Sequence, residues 1–148
     1  MTYGVDTSFL VAAELGEHTH HAAVRSMIAR LISRGDRLAL APQVLAEFIH
    51  AATDSKRFRA PLEMSHAHSL ASRWWTAREV EKVYPTAAAT QQFLDWMVIH
   101  RLGRKRLLDT MLAATYLHAG IYSLVTLDTR DFNIFGCFQI FHPASPLP

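Results

Sequence analysis

Short apolar runs alternate with helical hydrophobic spacings along most of the chain. The runs predict strands, whereas apolar residues at i, i+3, i+4 and i+7 predict amphipathic helices. Val24, Met27, Ile28 and Leu31 show the helical spacing most clearly. The predicted strands are residues 3–6, 37–41, 80–84, 122–127 and 138–141, and the predicted helices begin at 7, cover 20–33, begin at 42, and cover 62–77, 86–100 and 108–119. Strands separated by helices predict an α/β fold with a mostly parallel sheet.

Proline and glycine residues place several of the predicted helix ends. Pro42 and Pro61 are expected to open helices, because proline is favoured in the first helical turn. Gly35 and Gly120 are expected to end the helices before them, since glycine readily adopts a left-handed backbone.

The composition predicts a folded globule rather than a disordered chain. The 148 residues are 50% hydrophobic and 19% charged, which suits a single domain, with residues 142–148 as a loose, proline-containing tail. Cys137 is the only cysteine, and the sequence shows neither a secretory signal nor an apolar run long enough to span a membrane. These features predict a cytoplasmic protein. The net charge of +2 is too small to identify a nucleic-acid binder.

Two aspartates stand at the ends of predicted strands. Asp6 ends the first strand, and Asp128 follows the strand predicted at residues 122–127. In an open α/β sheet, ligands bind beyond the carboxyl ends of the strands. If the two strands are neighbours, both carboxylates point into the same crevice. Either aspartate could instead cap the turn or helix that follows it.

Two further acids lie on the inward sides of predicted helices. Asp109 shares a helix face with Leu112 and Tyr116, and Glu47 lies at the edge of an apolar face. An unpaired carboxylate in such a place is costly, so each needs a cation or a shared metal. A helix-dipole role for Asp109 and a surface role for Glu47 stay open. Together, the four acids form an oxygen-only set that suits Mg²⁺ or Mn²⁺.

The acids also stand in recognisable motifs. The segment Val-Asp-Thr-Ser-Phe-Leu contains Asp6, and Ala-Pro-Gln-Val-Leu-Ala-Glu-Phe contains Glu47. Asp-Thr-Met-Leu-Ala-Ala-Thr begins at Asp109, and Val-Thr-Leu-Asp-Thr-Arg-Asp-Phe contains Asp128 and Asp131. In order and spacing, these segments resemble the four acidic motifs of PIN domains, and the resemblance covers nearly the whole chain.

The resemblance implies a PIN-like three-layer α/β/α sandwich and, from the chain length, a VapC-type toxin of a toxin–antitoxin pair. Such a protein is a Mg²⁺-dependent endoribonuclease, neutralised by a VapB-type antitoxin and commonly a homodimer. Asp6, Glu47, Asp109 and Asp128 would then be the metal-binding and catalytic residues, with Mn²⁺ as a possible substitute ion. Asp131 would either join them or support its loop. An RNA-processing nuclease outside a toxin pair, or a non-catalytic RNA-binding PIN domain, is the alternative.

Other signalling and hydrolase folds fit less well. A phospho-acceptor module needs paired acids after the first strand, and a haloacid-dehalogenase-like phosphatase needs Asp-x-Asp there. Here Asp6 is followed by Thr7 and Ser8. Those hydroxyls, like that of Thr126, are expected either to position a phosphate or water or to cap a helix.

Several polar and aromatic clusters have no assigned role. The histidines at 18, 20 and 21 match no zinc spacing and are interpreted as a polar helix entrance. The basic run at 101–106 is expected to be either a solvated loop or a rim that holds the RNA backbone, and the group at 56–59 to be solvated loop charge. Adjacent tryptophans point in different directions on a helix, so at least one of Trp74, Trp75 and Trp96 is expected in the core or an interface rather than stacked on bases.

Overall fold

A five-stranded, all-parallel sheet forms the centre of the molecule, in the order β3-β2-β1-β4-β5. The computed structural model describes residues 1–146. Helices α1 to α4 contact one another in the series α2-α1-α3-α4, and α5, α6 and α7 form a second group. With the sheet, they make the predicted three-layer α/β arrangement. The elements are β1 Thr2–Val5, α1 Thr7–Glu14, α2 His21–Ser33, β2 Arg37–Leu40, α3 Pro42–Ala52, α4 Met64–Thr76, β3 Val80–Lys82, α5 Ala87–Ile99, a 3-10 turn Arg104–Arg106, α6 Leu107–His118, β4 Ser123–Val125, α7 Thr129–Asn133 and β5 Gln139–Phe141.

The central strand β1 pairs with β2 on one side and with β4 on the other. Tyr116 of α6 packs across this strand at Gly4, where a Cβ atom would lie only 2.8 Å from its ring and 2.6 Å from Leu124. The buried Tyr116 hydroxyl lies 2.6 Å from the carbonyl oxygen of Val5 and 2.9 Å from that of Ala39, and donates to these two acceptors. Helix α6 is therefore held closely against β1 and β2, and it carries Asp109.

Most predicted boundaries are confirmed within a residue or two, but the expectation that Pro61 opens α4 was wrong. Pro61 and Leu62 precede the helix, which begins at Met64. The amide of Leu62 donates to the carbonyl oxygen of Ala52 at 2.8 Å, and Glu63 has an extended backbone. This contact with the end of α3 holds the chain outside the helix, despite the proline.

The strand predicted at residues 122–127 is shorter in the structure. It covers Ser123–Val125, and Tyr122 is 55% exposed. The predicted helix at 108–119 begins one residue earlier, after a 3-10 turn in the basic run. Helix α7 was not predicted, because five residues are too few to show a helical spacing.

The hydrophobic core is one continuous cluster that includes residues of the sheet and of both helical layers. Trp96 is part of it, 8% exposed and stacked on Phe135 at 4.4 Å. The adjacent Trp74 and Trp75 are partly buried and pack against the core, which confirms that at least one of this pair belongs to it. In the tail, the amide of Ser145 donates to His142 and Pro143 is buried, while Leu147 and Pro148 lie outside the described residues. No helix in residues 1–146 is long and apolar enough to cross a membrane.

Candidate active site

The sheet brings the two strand-end aspartates to the same edge. Asp6 directly follows β1 and caps α1, its Oδ1 accepting the Phe9 amide at 3.0 Å. Asp128 lies between β4 and α7. Because β1 and β4 are hydrogen-bonded neighbours and run parallel, both residues lie at the carboxyl edge of the sheet. The predicted crevice is thus present, and Asp6 also caps its helix.

The two helix acids complete the set. Glu47 of α3 and Asp109 of α6 are half-buried, whereas Asp128 is exposed. All four predicted acids line one cleft of about 460 Å³, together with Thr7 and Ser8. The fold therefore gathers acids from four separate segments around a single space.

Hydrogen bonds fix the orientation of the Asp6 carboxylate, which is 5% exposed. Thr126 Oγ1 donates to Asp6 Oδ2 at 2.6 Å, and Ser8 Oγ lies 2.8 and 2.9 Å from its two oxygens. Ser8 and Thr126 also accept the amides of Leu127 and Asp128, at 3.2 and 2.9 Å. These hydroxyls therefore join the loops after β1 and β4 and orient the acid between them.

Burial raises the pKa of three of the cleft carboxylates, those of Asp6, Glu47 and Asp109. Burial raises the pKa of Asp6 to about 7, against the hydrogen bonds from Thr126, Phe9 and Ser8, and the Asp128 charge adds to the effect. Burial also raises the pKa of Glu47 to about 6, with a further contribution from the negative charge of Asp109 and a hydrogen bond from Thr7 acting against it.

Asp109 follows the same pattern. Burial, followed by the charges of Asp131 and Asp128, raises its pKa to about 6, while the nearby Arg106 guanidinium acts in the opposite direction. Neighbouring carboxylates thus repel one another in the cleft, and a cation placed among them would relieve that repulsion.

Asp131 has a different role from the other acids. It lines a separate, smaller hollow with Asp128, and Arg106 contacts it twice. The guanidinium donates to the Asp131 backbone carbonyl, and Arg106 Nη1 lies 3.3 Å from Asp131 Oδ1. Asp131 therefore holds α7 against the beginning of α6, which favours the supporting role.

The basic run at 101–106 does not line the acidic cleft. Its innermost member, Arg106, is occupied by Asp131. Trp74 donates its indole N–H to Glu14 at 2.7 Å, and Trp75 packs edge-on against Tyr84 at 6.0 Å, so neither of these tryptophans faces the cleft.

His18, His20 and Arg57 line the cleft as well, and sequence reasoning assigned them no such place. The histidines were interpreted as a helix entrance and Arg57 as loop charge. The clustering of histidines after α1 was the one available signal. Nothing in the sequence brings Arg57 to them, because that contact depends on the path of the chain after α3.

The donor chemistry of the four acids fits a hard divalent cation, since carboxylate oxygens are preferred ligands of Mg²⁺. As arranged, no three histidine, cysteine, aspartate or glutamate side chains in the described residues 1–146 form a group that could hold a metal ion. Coordination would therefore need side-chain rotation, which is open to the exposed Asp128 and the half-buried Glu47 and Asp109.

Known proteins with similar sequences and folds point to one family. The model of the PIN domain matches residues 3–135. Ribonuclease VapC24 of Mycobacterium tuberculosis is 25% identical over 150 residues, which is 95% of this chain and 96% of that protein.

Two solved structures share the fold. The crystal structure of Mycobacterium tuberculosis VapC20, a sarcin–ricin loop cleaving toxin, is similar with a TM-score of 0.70 and 22% identity, over 93% of this chain and 96% of that chain. VapBC2 from Rickettsia felis, bound to a DNA fragment from its promoter, is similar with a TM-score of 0.68 and 16% identity, over 96% of this chain and 98% of that chain. With the family match extending over most of its length and including all four acids of the cleft, the chain belongs to the PIN domain family.

Proposed function

We propose that the protein is a metal-dependent endoribonuclease and the toxin of a VapBC-type pair. The observation that carries the proposal is the convergence of Asp6, Glu47, Asp109 and Asp128 on one cleft. The ribonuclease name of the VapC24 relative and the toxin–antitoxin neighbours in fold support it. These neighbours do not favour the alternatives, an RNA-processing nuclease outside a toxin pair or a non-catalytic RNA-binding PIN domain.

The four carboxylates would hold Mg²⁺, with Mn²⁺ as a substitute. When bound, the ion would supply positive charge that offsets the charge developing on the phosphate and activates water for attack. Asp6 would provide a fixed oxygen, because three hydrogen-bond donors already orient it. Asp109 and Asp128 would each offer a carboxylate to the ion, one from α6 and one from the loop after β4.

Glu47 is suited to a proton-handling task beside the ion. Its pKa of about 6 lies near neutral pH, where a carboxylate can accept a proton at Oε from an attacking water. It could also bind a second ion of a two-metal site. In either role, the half-buried position keeps the group within the cleft and partly screened from bulk water.

We also propose two protein partners: a VapB-type antitoxin and a second copy of the chain. Helix α5 and the beginning of α6 expose several large apolar side chains, including Val98 at 78% and Ile99 at 68%, besides Leu94, Leu107 and Leu108. Exposed apolar surface of this kind supports a protein–protein interface. The VapBC2 neighbour is itself a toxin–antitoxin assembly.

RNA cleavage tests the chemistry. Purified protein should cut structured RNA with Mg²⁺ or Mn²⁺, stop with EDTA, and lose activity in Asp6→Asn. Asp95→Asn is the matched control, because Asp95 lies on the exposed side of α5 and bonds only to Gln91 in the described chain. Cleavage that persists in EDTA or in Asp6→Asn, with circular dichroism unchanged, would contradict the metal mechanism.

Growth tests the biological role. Expression without an antitoxin should arrest a bacterial host, and Asp109→Asn should relieve the arrest. Normal growth at verified soluble expression of the wild type would favour the RNA-processing candidate.

A further inference from the structure

We propose that His18, His20 and Arg57 form a wall of nitrogen donors in the acidic cleft, and that this wall binds a backbone phosphodiester of the RNA beside the bond that is cut. In this inference the acids serve the reacting phosphate, and the nitrogen donors hold the strand in register. It rests on the proposed function, because the ligand is taken to be RNA.

The wall is made from two chain segments that come together only in the fold. His18 and His20 belong to the connection between α1 and α2, and Arg57 to the turn after α3. All three side chains line the same 460 Å³ space as the four acids. A strand entering this space would therefore meet both carboxylates and nitrogen donors.

The two segments are joined by direct hydrogen bonds. The Glu17 carboxylate accepts the backbone amide of Arg59 at Oε2 and that of Ala60 at Oε1, both at 3.2 Å. The amide of Arg57 donates to the carbonyl oxygen of Asp54 at 3.1 Å. The backbone that carries Arg57 is thus tied to the histidine segment, so the wall is organised before any ligand arrives.

His18 presents a defined donor. Its Nδ1 accepts the backbone amide of His20 at 3.1 Å, so a neutral ring carries its proton on Nε2. Burial, followed by the charges of His20, Arg57 and His21, lowers the pKa of His18 and favours that neutral form. The Nε2–H group is then available to a phosphate oxygen. His20 is held in turn by an edge-on contact with His142, with ring centroids 5.1 Å apart.

Arg57 contributes the permanent charge of the wall. It makes no ion pair within residues 1–146, although four carboxylates line the same cleft. An arginine that shares a cleft with acids without bonding to them can pair with an anionic ligand that enters the cleft. Guanidinium groups bind phosphate oxygens well, and contacts to phosphates fix the register of a nucleic acid.

Binding of RNA to the metal-free protein tests the wall separately from catalysis. The probe is a fluorescently labelled, short single-stranded RNA in EDTA, measured by anisotropy at several salt concentrations. Arg57→Ala should raise Kd about fivefold at low salt, the effect of a single exposed ion pair of about 1 kcal/mol. It should also reduce the slope of log Kd against log salt by about 0.7, the loss of one phosphate contact.

Two further variants make the test specific. Arg59→Ala is the matched control: it removes the same charge from the same turn, keeps the amide that bonds to Glu17, and does not touch the cleft. His18→Asn places an amide oxygen near the former Nδ1, which can still accept the His20 amide, but it removes the Nε2–H donor. It should weaken RNA binding while leaving the melting temperature close to that of the wild type.

The outcomes separate the inference from the proposed function. Weaker binding by Arg57→Ala and His18→Asn, with Arg59→Ala unchanged, supports the wall of nitrogen donors. If Arg57→Ala and Arg59→Ala change Kd and the salt slope equally, while the wild type binds and cleaves RNA, the wall is refuted and the nuclease stands. A wild type that neither binds nor cleaves RNA overturns both. If His18→Asn fails to fold, the comparison of Arg57→Ala with Arg59→Ala still shows whether Arg57 binds the RNA from within the cleft.

Discussion

Replacing Asp109 by asparagine should stabilise the metal-free protein, although it removes a half-buried acid of the cleft. The pKa of Asp109 is raised from 3.8 to about 6 in the folded protein. A carboxylate with a raised pKa is a cost to the folded state once it is ionised, so the wild type loses stability as the pH rises from about 4 to above 6. Asparagine carries no charge and escapes that cost.

The size of the effect follows from the pKa shift. Each unit is worth about 1.4 kcal/mol, so a shift of about 2 units corresponds to roughly 3 kcal/mol. Because Asp109 is partly exposed, solvent screening reduces this to about 1–2 kcal/mol. The substitution also removes a favourable negative charge from the first turn of α6, which reduces the gain in stability by about 0.3–1 kcal/mol. The expected net gain at pH 7.5 is about 1 kcal/mol, or about 3 °C for a chain of this size.

Thermal melts in EDTA at pH 7.5 and pH 4 provide the assay. The gain of Asp109→Asn should be present at pH 7.5 and absent at pH 4, where the wild-type carboxyl is protonated in the folded state. Asp95→Asn, on the exposed side of α5, should change the melting temperature little at either pH. Mg²⁺ at ten times its Kd should stabilise the wild type by about 1.4 kcal/mol, since it binds only the folded cluster, and should stabilise Asp109→Asn much less.

An ordinary first-turn aspartate would give the opposite result. Its loss would cost about 0.3–1 kcal/mol and leave the Mg²⁺ response intact. A destabilised Asp109→Asn in EDTA at pH 7.5, with a full Mg²⁺ shift, would therefore refute the placement of Asp109 in a repelling, metal-binding cluster.

Three further predictions concern the core, the support of the site and its pH response. Gly4→Ala should lower the free energy of unfolding by about 1–3 kcal/mol, because the new Cβ would lie 2.6 Å from a neighbouring side chain. Gly16→Ala should not lower it, since a Cβ there has no atom within 4 Å, and urea melts of both variants distinguish packing from a general effect of replacing glycine. Arg106→Ala should release Asp131 and so reduce both RNA cleavage and the hydrogen-exchange protection of the α7 amides, whereas replacement of the exposed Arg104 by alanine should change neither. Equal protection of α7 in the two variants would contradict the supporting role of Asp131. The Mg²⁺-induced rise in melting temperature should shrink as the pH falls from about 7 to 5, because Asp6, Glu47 and Asp109, with pKa values of about 6 to 7, take up protons in that range. A rise that is independent of pH would argue that the ion binds elsewhere.

Local patterns along the chain were sufficient for the α/β fold and for the four acids. The spacing of Val24, Met27 and Leu31 predicts α2, and all three side chains are buried in it. Pro42 begins α3, and Gly120 follows α6 with a φ of 75°. Such signals need only neighbouring residues, because burial of one helix face or one short apolar run is a local requirement.

Tertiary contacts account for what those patterns did not reveal. The start of α4 depends on the bond between Leu62 and Ala52, and the role of Asp131 depends on Arg106. The place of Arg57 beside His18 depends on Glu17, which accepts amides from the turn after α3. Each of these interactions joins separate segments of the chain. Hydrophobic periodicity predicts which face of an element is buried, but it does not predict which polar groups come into contact when the layers pack. The acids stand in motifs that are visible in the sequence, whereas the cleft that they share with His18, His20 and Arg57 forms only when the chain folds.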